Sequence, residues 1–240
     1  MTSERNFMSA KYRPIFSILF ALLSALTLSC STIRKPTTED FVNHGLAKMA
    51  KRDLDGAMAD FTKAIQLNPQ DAAAYEGHGG VKEIKGDLDG AITDFSKAIQ
   101  LNPKATGAYI DRGGARMGKG DWDGAIADFS KAIELDPKLA DAYLDRGLAK
   151  RHKGDLDGSI TDFSKTIQLN PQDAAAYNDR GNAKRAKGDL DGAIADFSKA
   201  IERNPQDAIA YISRGSVKKA KGDQAGSDAD LAQAAKLGGR

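Results

Sequence analysis

Apolar residues recur through most of this chain at helical spacing. Leu190, Ala193, Ile194, Phe197, Ala200 and Ile201 fall at i, i+3, i+4, i+7, i+10 and i+11, which places one apolar stripe on one helix face. Asp189 precedes the stripe and Pro205 closes it. A carboxylate before the first turn caps free backbone N–H groups, and a proline cannot continue the helix. The pattern returns every 34 residues, with prolines at Pro69, Pro103, Pro137, Pro171 and Pro205. In the same register an aromatic falls at position 4 (Phe41, Tyr75, Tyr109, Tyr143, Tyr177, Tyr211) and a glycine at position 8 (Gly45, Gly79, Gly113, Gly147, Gly181, Gly215). Position 24 is Phe61, Phe95, Phe129, Phe163 and Phe197, with Leu231 in the last copy. Segments such as Lys187-Gly188-Asp189 predict the turn that ends one helix and starts the next. Each copy therefore reads as two helices.

Six copies cover residues 38–71, 72–105, 106–139, 140–173, 174–207 and 208–240. Their order of aromatic, Gly, Ala (Ala57, Ala91, Ala125, Ala193), Phe, Ala (Ala64, Ala98, Ala132, Ala200) and Pro resembles the tetratricopeptide repeat. That resemblance implies an all-α fold, a right-handed superhelical solenoid of six helix-turn-helix repeats. Such repeats share a continuous core and form one elongated domain. Two positions depart from the family pattern: position 7 is His or Arg and position 11 is Lys or Arg, where large residues are usual. Position 23 is Asp in every copy (Asp60, Asp94, Asp128, Asp162, Asp196, Asp230). A ladder of Asp to Arg/Lys contacts between paired helices would account for all three positions; solvated surface charge is the alternative. Glycine inside a helix costs about 1 kcal/mol relative to alanine, so the glycines at position 8 predict close approach of the partner helix. In the last copy Gln224, Ser227 and Asp228 replace apolar residues, as in a terminal repeat with a polar outer face.

The first residues are of another kind. Arg5, Lys11 and Arg13 precede an apolar run over residues 15–28, and Ser29 and the chain's one cysteine, Cys30, follow it. A run of this length matches a signal-peptide core better than a bilayer span of about 20 residues. Residues 26–30 resemble a bacterial lipoprotein cleavage site. The resemblance implies a signal peptide over 1–29 and lipid on Cys30, with residues 30–37 as a short linker. An ordinary cleaved signal and an uncleaved anchor remain the alternatives. Each places the repeats outside the bacterial cytoplasm, on the periplasmic side of the cell envelope, as a membrane-anchored lipoprotein or a soluble secreted or periplasmic protein. Thr37 and Asp40 form the signature of a helix start, a capping hydroxyl with an acid three residues on.

Charge removes one function class. The formal net charge is +2, but residues 31–240 carry 32 basic and 32 acidic side chains, so no basic excess points to nucleic acid. No nucleophile and base, metal-ligand spacing or phosphate loop stands out. His44 and His78 share one repeat position and read as framework residues, while Trp122, where most copies have Leu, reads as core. The chain is expected to be non-enzymatic, without cofactor or metal.

Surface remains. In tetratricopeptide repeats the first helices line a concave groove through positions 2, 5, 9, 12 and 13. Carried over, these positions imply a partner-binding groove of Ile110, Leu144, Leu148, Asn178, Asn182, Arg151, Arg185, Ile212 and Lys219. The family's carboxylate clamp finds only Asn178 and Asn182, without its lysine, and is not expected. Residues 66–75 are identical to residues 168–177, a sign of recent duplication, whereas positions 5, 9 and 12 differ between copies. The function expected is a scaffold that binds a protein or peptide partner in the groove. The alternative is a structural or self-assembling envelope component that uses its convex face.

Overall fold

The computed structural model describes residues 34–238. The signal segment and Cys30 lie outside them. The described residues hold twelve α-helices and no strand. They are α1 (Thr38–Ala50), α2 (Leu54–Leu67), α3 (Ala72–Ile84), α4 (Leu88–Leu101), α5 (Thr106–Lys119), α6 (Trp122–Leu135), α7 (Ala140–Lys153), α8 (Leu156–Leu169), α9 (Ala174–Ala186), α10 (Leu190–Arg203), α11 (Ala208–Ala220) and α12 (Gln224–Lys236). The chain divides into two compact units, one ending at Asp121 and the other starting at Trp122. The first holds α1 to α5, the second α6 to α12.

The helix ends follow the capping chemistry. Asp189 accepts a hydrogen bond from the Gly192 amide at 2.9 Å, and Asp53, Asp87, Asp155 and Asp223 cap α2, α4, α8 and α12 alike. At α1 the Thr37 hydroxyl accepts from the Asp40 amide at 3.3 Å and the Asp40 carboxylate accepts from the Thr37 amide at 2.7 Å, a reciprocal box. The turn glycines adopt positive φ, 90° at Gly154. The first repeat has Arg52 there, at φ 61°, a conformation that costs an L-residue about 1–2 kcal/mol.

The core is a row of phenylalanines facing glycines. Phe61, Phe95, Phe129, Phe163 and Phe197 are fully buried. A Cβ on Gly147 would lie 2.7 Å from Phe163 Cε1, and one on Gly181 would lie 2.9 Å from Phe197 Cε1. The position-8 glycines therefore let the ring of the second helix touch the backbone of the first. In the second unit Leu144, Phe163, Ala176 and Ala183 form one core cluster, flanked by Leu148, Ile160 and Ile167. Trp122 is partly buried, like the Leu residues at its position in other copies, and it stacks on His152 at 4.5 Å between ring centroids and 6° between planes. Its indole thus lies flat against His152 of the next repeat's first helix.

The charged positions form the ladder. Arg146 donates to both Asp162 oxygens at 2.9 and 2.7 Å and to Ser130 Oγ of the preceding repeat at 3.0 Å. Lys150 adds a contact to Asp162 at 2.8 Å. Arg180 with Asp196 and Ser164, and Arg214 with Asp230 and Ser198, repeat the pattern. Each arginine also lies over the tyrosine three residues earlier, Arg146 at 5.5 Å from the Tyr143 ring centre. In the first unit His78 and Lys82 hold Asp94 at 2.7 and 2.8 Å. Burial pulls the Asp94 carboxyl upward, but the hydrogen bonds from His78 and Lys82 hold it below the ordinary range. Because each arginine bonds its own repeat and the one before, the ladder fixes the register of the stack.

Candidate functional site

First helices gather on one side of each unit. In the first unit α1 meets α3 and α3 meets α5; in the second α7 meets α9 and α9 meets α11. No two second helices come as close among the described residues. The side lined by first helices is thus the crowded, inner side of each stack, and each unit presents its own inner face.

The inner face of the first unit contains Ile110, partly buried on α5. Beside it stand Glu76 on α3, whose carboxyl burial pushes above its usual value, and Gly107 on α5. A Cβ on Gly107 would come within 2.7 Å of Glu76 Oε1. Gly80 and Gly114 have looser surroundings, with only Met49 Cε at 3.6 Å and Glu83 Oε1 at 3.8 Å near an added Cβ.

The inner face of the second unit carries the other expected residues. Leu148, Asn182 and Ile212 are partly buried, while Arg185 and Lys219 are exposed. Ile209 on α11 is 38% exposed. Two residues of the expected groove lie deeper than their positions imply. Leu144 is 8% exposed and packs with Phe163, Ala176 and Ala183, and Asn178 is 1% exposed. These two stand under the surface, leaving Leu148, Arg151, Asn182, Arg185, Ile209, Ile212 and Lys219 as its accessible part.

Ion pairing sorts the cations of this face. Arg146, Lys150, Arg180, Lys184, Arg214 and Lys218 belong to the ladder. Lys153, Lys187 and Lys221 reach back to Asp123, Asp157 and Asp191 of the preceding repeat. Arg151 lies 3.7 Å from Asp179. Arg185 and Lys219 have no partner among the described residues.

One group escaped the sequence reading. Asp145, partly buried on α7 between Leu144 and Arg146, has no hydrogen-bond or ion-pair partner among the described residues. Burial, followed by repulsion from Asp141, pushes its carboxyl up to about 7. The signal that could have found it is the run of acids at position 6, Asp111, Asp145 and Asp179. His152 behaves oppositely for a base: burial and then the nearby Arg151 charge lower its pKa, which suits a neutral ring on Trp122. Among the described residues no group of three potential metal ligands comes together, and no helix is long and apolar enough to cross a membrane.

Comparison with known proteins agrees with this architecture. Two family profiles match: "TPR repeat" over residues 113–151, 147–184 and 181–222, and "Tetratricopeptide repeat" over residues 42–106. A search of curated proteins finds no match. Among solved structures, that of the MamA protein is 30% identical with a TM-score of 0.65, covering 71% of this chain and 93% of that one. YrrB, described as a TPR protein with an unusual peptide-binding site, is 24% identical with a TM-score of 0.64, covering 74% and 91%. The pilF protein of Pseudomonas aeruginosa is 15% identical with a TM-score of 0.72, covering 83% and 91%, a likeness of fold alone. The fold is that of protein–protein interaction scaffolds. With the repeat profiles and the helix pairs in agreement, the chain belongs to the tetratricopeptide-repeat family.

Proposed function

We propose that this chain is a non-enzymatic scaffold of the bacterial cell envelope, holding a segment of a partner protein on the inner face of its first helices. The observation that carries this reading is the contrast in how charge is used. The lysines of the second helices are engaged: Lys131 and Lys199 pair with Glu134 and Glu202 at 2.7 Å, Lys97 and Lys165 donate to Gln100 and Gln168 at 3.1 and 3.0 Å, and Lys63 lies over the Phe41 ring. Arg185 and Lys219 stay unpaired beside exposed Ile209 and partly buried Ile212. An extended peptide or a helix with aliphatic and acidic side chains fits such a surface. The same contrast favours the inner face over self-assembly through the convex one.

The anchor rests on the sequence: an apolar run over residues 15–28 followed by Ser29 and Cys30, then six residues before Thr37. Extended, those residues reach roughly 20 Å, which keeps the first unit near the membrane. Two measurements test the reading. Labelling cells with a fatty-acid analogue should mark the wild-type chain and not Cys30→Ser; equal labelling removes the lipid anchor. Immobilised full-length chain should retain a partner from envelope extract that Leu148→Glu/Arg185→Glu loses with its circular dichroism unchanged. Equal retention by both would move the function off the inner face.

A further inference from the structure

Asp145 stands partly buried on α7 without a partner among the described residues. The ladder carboxylates Asp162, Asp196 and Asp230 of the second unit receive an arginine and a lysine each, as Asp162 does from Arg146 and Lys150. Asp179, the same repeat position one copy on, has Arg151 at 3.7 Å. Asp145 faces no cation, and its neighbour on the same helix stripe, Asp141, is a second acid. A partly buried carboxylate without a donor is unfavourable, and such groups concentrate where ligands bind. Leu148 lies on the same face of α7, three residues on, and Asn182, Arg185, Ile212 and Lys219 continue the face on α9 and α11. With Arg151 and Asp179 paired to each other, the unpaired charges of this surface are negative at α7 and positive on α9 and α11, with Leu148 and Ile212 as its aliphatic part.

We propose that the inner face of the second unit binds a peptide segment of two signs, with an arginine or lysine seated on Asp145 and acidic residues on Arg185 and Lys219. This rests on the inner-face reading above and adds the partner's chemistry and direction. A guanidinium or ammonium reaching Asp145 supplies the donors that the chain withholds, as two parallel N–H···O bonds in the arginine case. Asp/Glu residues of the same segment meet Arg185 and Lys219, and aliphatic side chains cover Leu148 and Ile212. Charges of opposite sign at the two ends fix which way the segment lies, since reversal sets like charges together.

The test uses random 12-residue peptides displayed on phage and selected on the full-length chain, with the best binders synthesised and titrated by fluorescence anisotropy. Binders carrying both a cation and acids are expected. Asp145→Asn should weaken them at least about tenfold, and replacing the peptide's cation with alanine should cost wild type as much while costing the variant nothing further. Asp145→Asn should also raise thermal stability, the opposite of what a purely structural carboxylate would do. Binders without a cation, or with affinity indifferent to Asp145→Asn while Arg185→Glu abolishes binding, overturn the Asp145 assignment and leave the inner face standing. No binders at all, or binders indifferent to both Leu148→Glu and Arg185→Glu, overturn the inner-face reading and this proposal with it.

Discussion

Replacing Gly147 with alanine isolates the packing argument because two effects of known sign oppose each other. Alanine is favoured over glycine in a helix interior by about 1 kcal/mol. The new Cβ, however, would lie 2.7, 2.9 and 3.2 Å from Phe163 Cε1, Cδ1 and Cζ, against about 3.5–4.0 Å for relaxed carbon contact. Phe163 is fully buried and shares its cluster with Leu144, Ala176 and Ala183, so the ring cannot retreat without moving neighbours. Overpacking of this kind costs about 1–3 kcal/mol. With the ring enclosed we take the upper part of that range, for a net loss of about 1–2 kcal/mol. Gly114→Ala is the control, since only Glu83 Oε1 at 3.8 Å lies near its Cβ; it should stabilise by about 0.5–1 kcal/mol. Urea denaturation followed by circular dichroism reads both signs, and hydrogen exchange should localise the loss to α7 and α8. Phe163→Leu combined with Gly147→Ala should be less harmful than the two costs added, with coupling of about 1 kcal/mol. Glycine variants that shift stability in the same direction, or additive costs in the double variant, would refute the ring-on-backbone account.

Other outcomes follow from the same geometry. Asp162→Ala leaves Arg146 and Lys150 without their acceptor and should cost about 3–5 kcal/mol. The swap Arg146→Asp/Asp162→Arg should not recover it, because Lys150 then faces an arginine; recovery in thermal melts would deny the three-residue arrangement. Asp145 is protonated more readily in the fold (about 7) than unfolded (3.8), so its contribution to stability falls as pH rises from about 4 to about 7. Asp145→Asn should thus stabilise by about 1–3 kcal/mol at pH 8 and change nothing near pH 3.5; a pH-independent difference in urea midpoint contradicts this. Arg52→Gly should raise stability by about 1 kcal/mol by relieving the positive φ, whereas Gly154→Ala should lower it. Phe163→Ala should cost about 3–5 kcal/mol and loosen its neighbours first, with uniform loss of exchange protection arguing against near-neighbour stability.

The helices were legible because each was marked at both ends and along one face. Asp189, the apolar stripe from Leu190 to Ile201 and Pro205 define α10 before any coordinate is known, and four similar copies repeat the argument. The ladder was readable only as a possibility: constant Asp at position 23 shows that a partner exists, but not that Ser130 in the preceding repeat is part of it. Burial inside the inner face was not readable, since Leu144 and Leu148 are the same residue type one turn apart, and only the packing of Phe163 makes the first a core residue. The stacking of Trp122 was not readable either, because His152 in the next repeat offers a flat ring, a partner no single repeat reveals. Asp145 was missed because its significance is the lack of a partner, and that appears only when every neighbouring cation is seen to be engaged.

The central claim is that the inner face of the first helices is the working surface. It is tested most directly by placing a photocrosslinking amino acid at Asn182 on that face, and in a separate protein at Lys199 on the outer side of α10, in otherwise full-length chain expressed in its own cells. The account predicts a discrete crosslinked partner from position 182, lost when Arg185→Glu is added, and none from position 199. A partner captured from position 199 and not from 182 would contradict it and assign the function to the convex face.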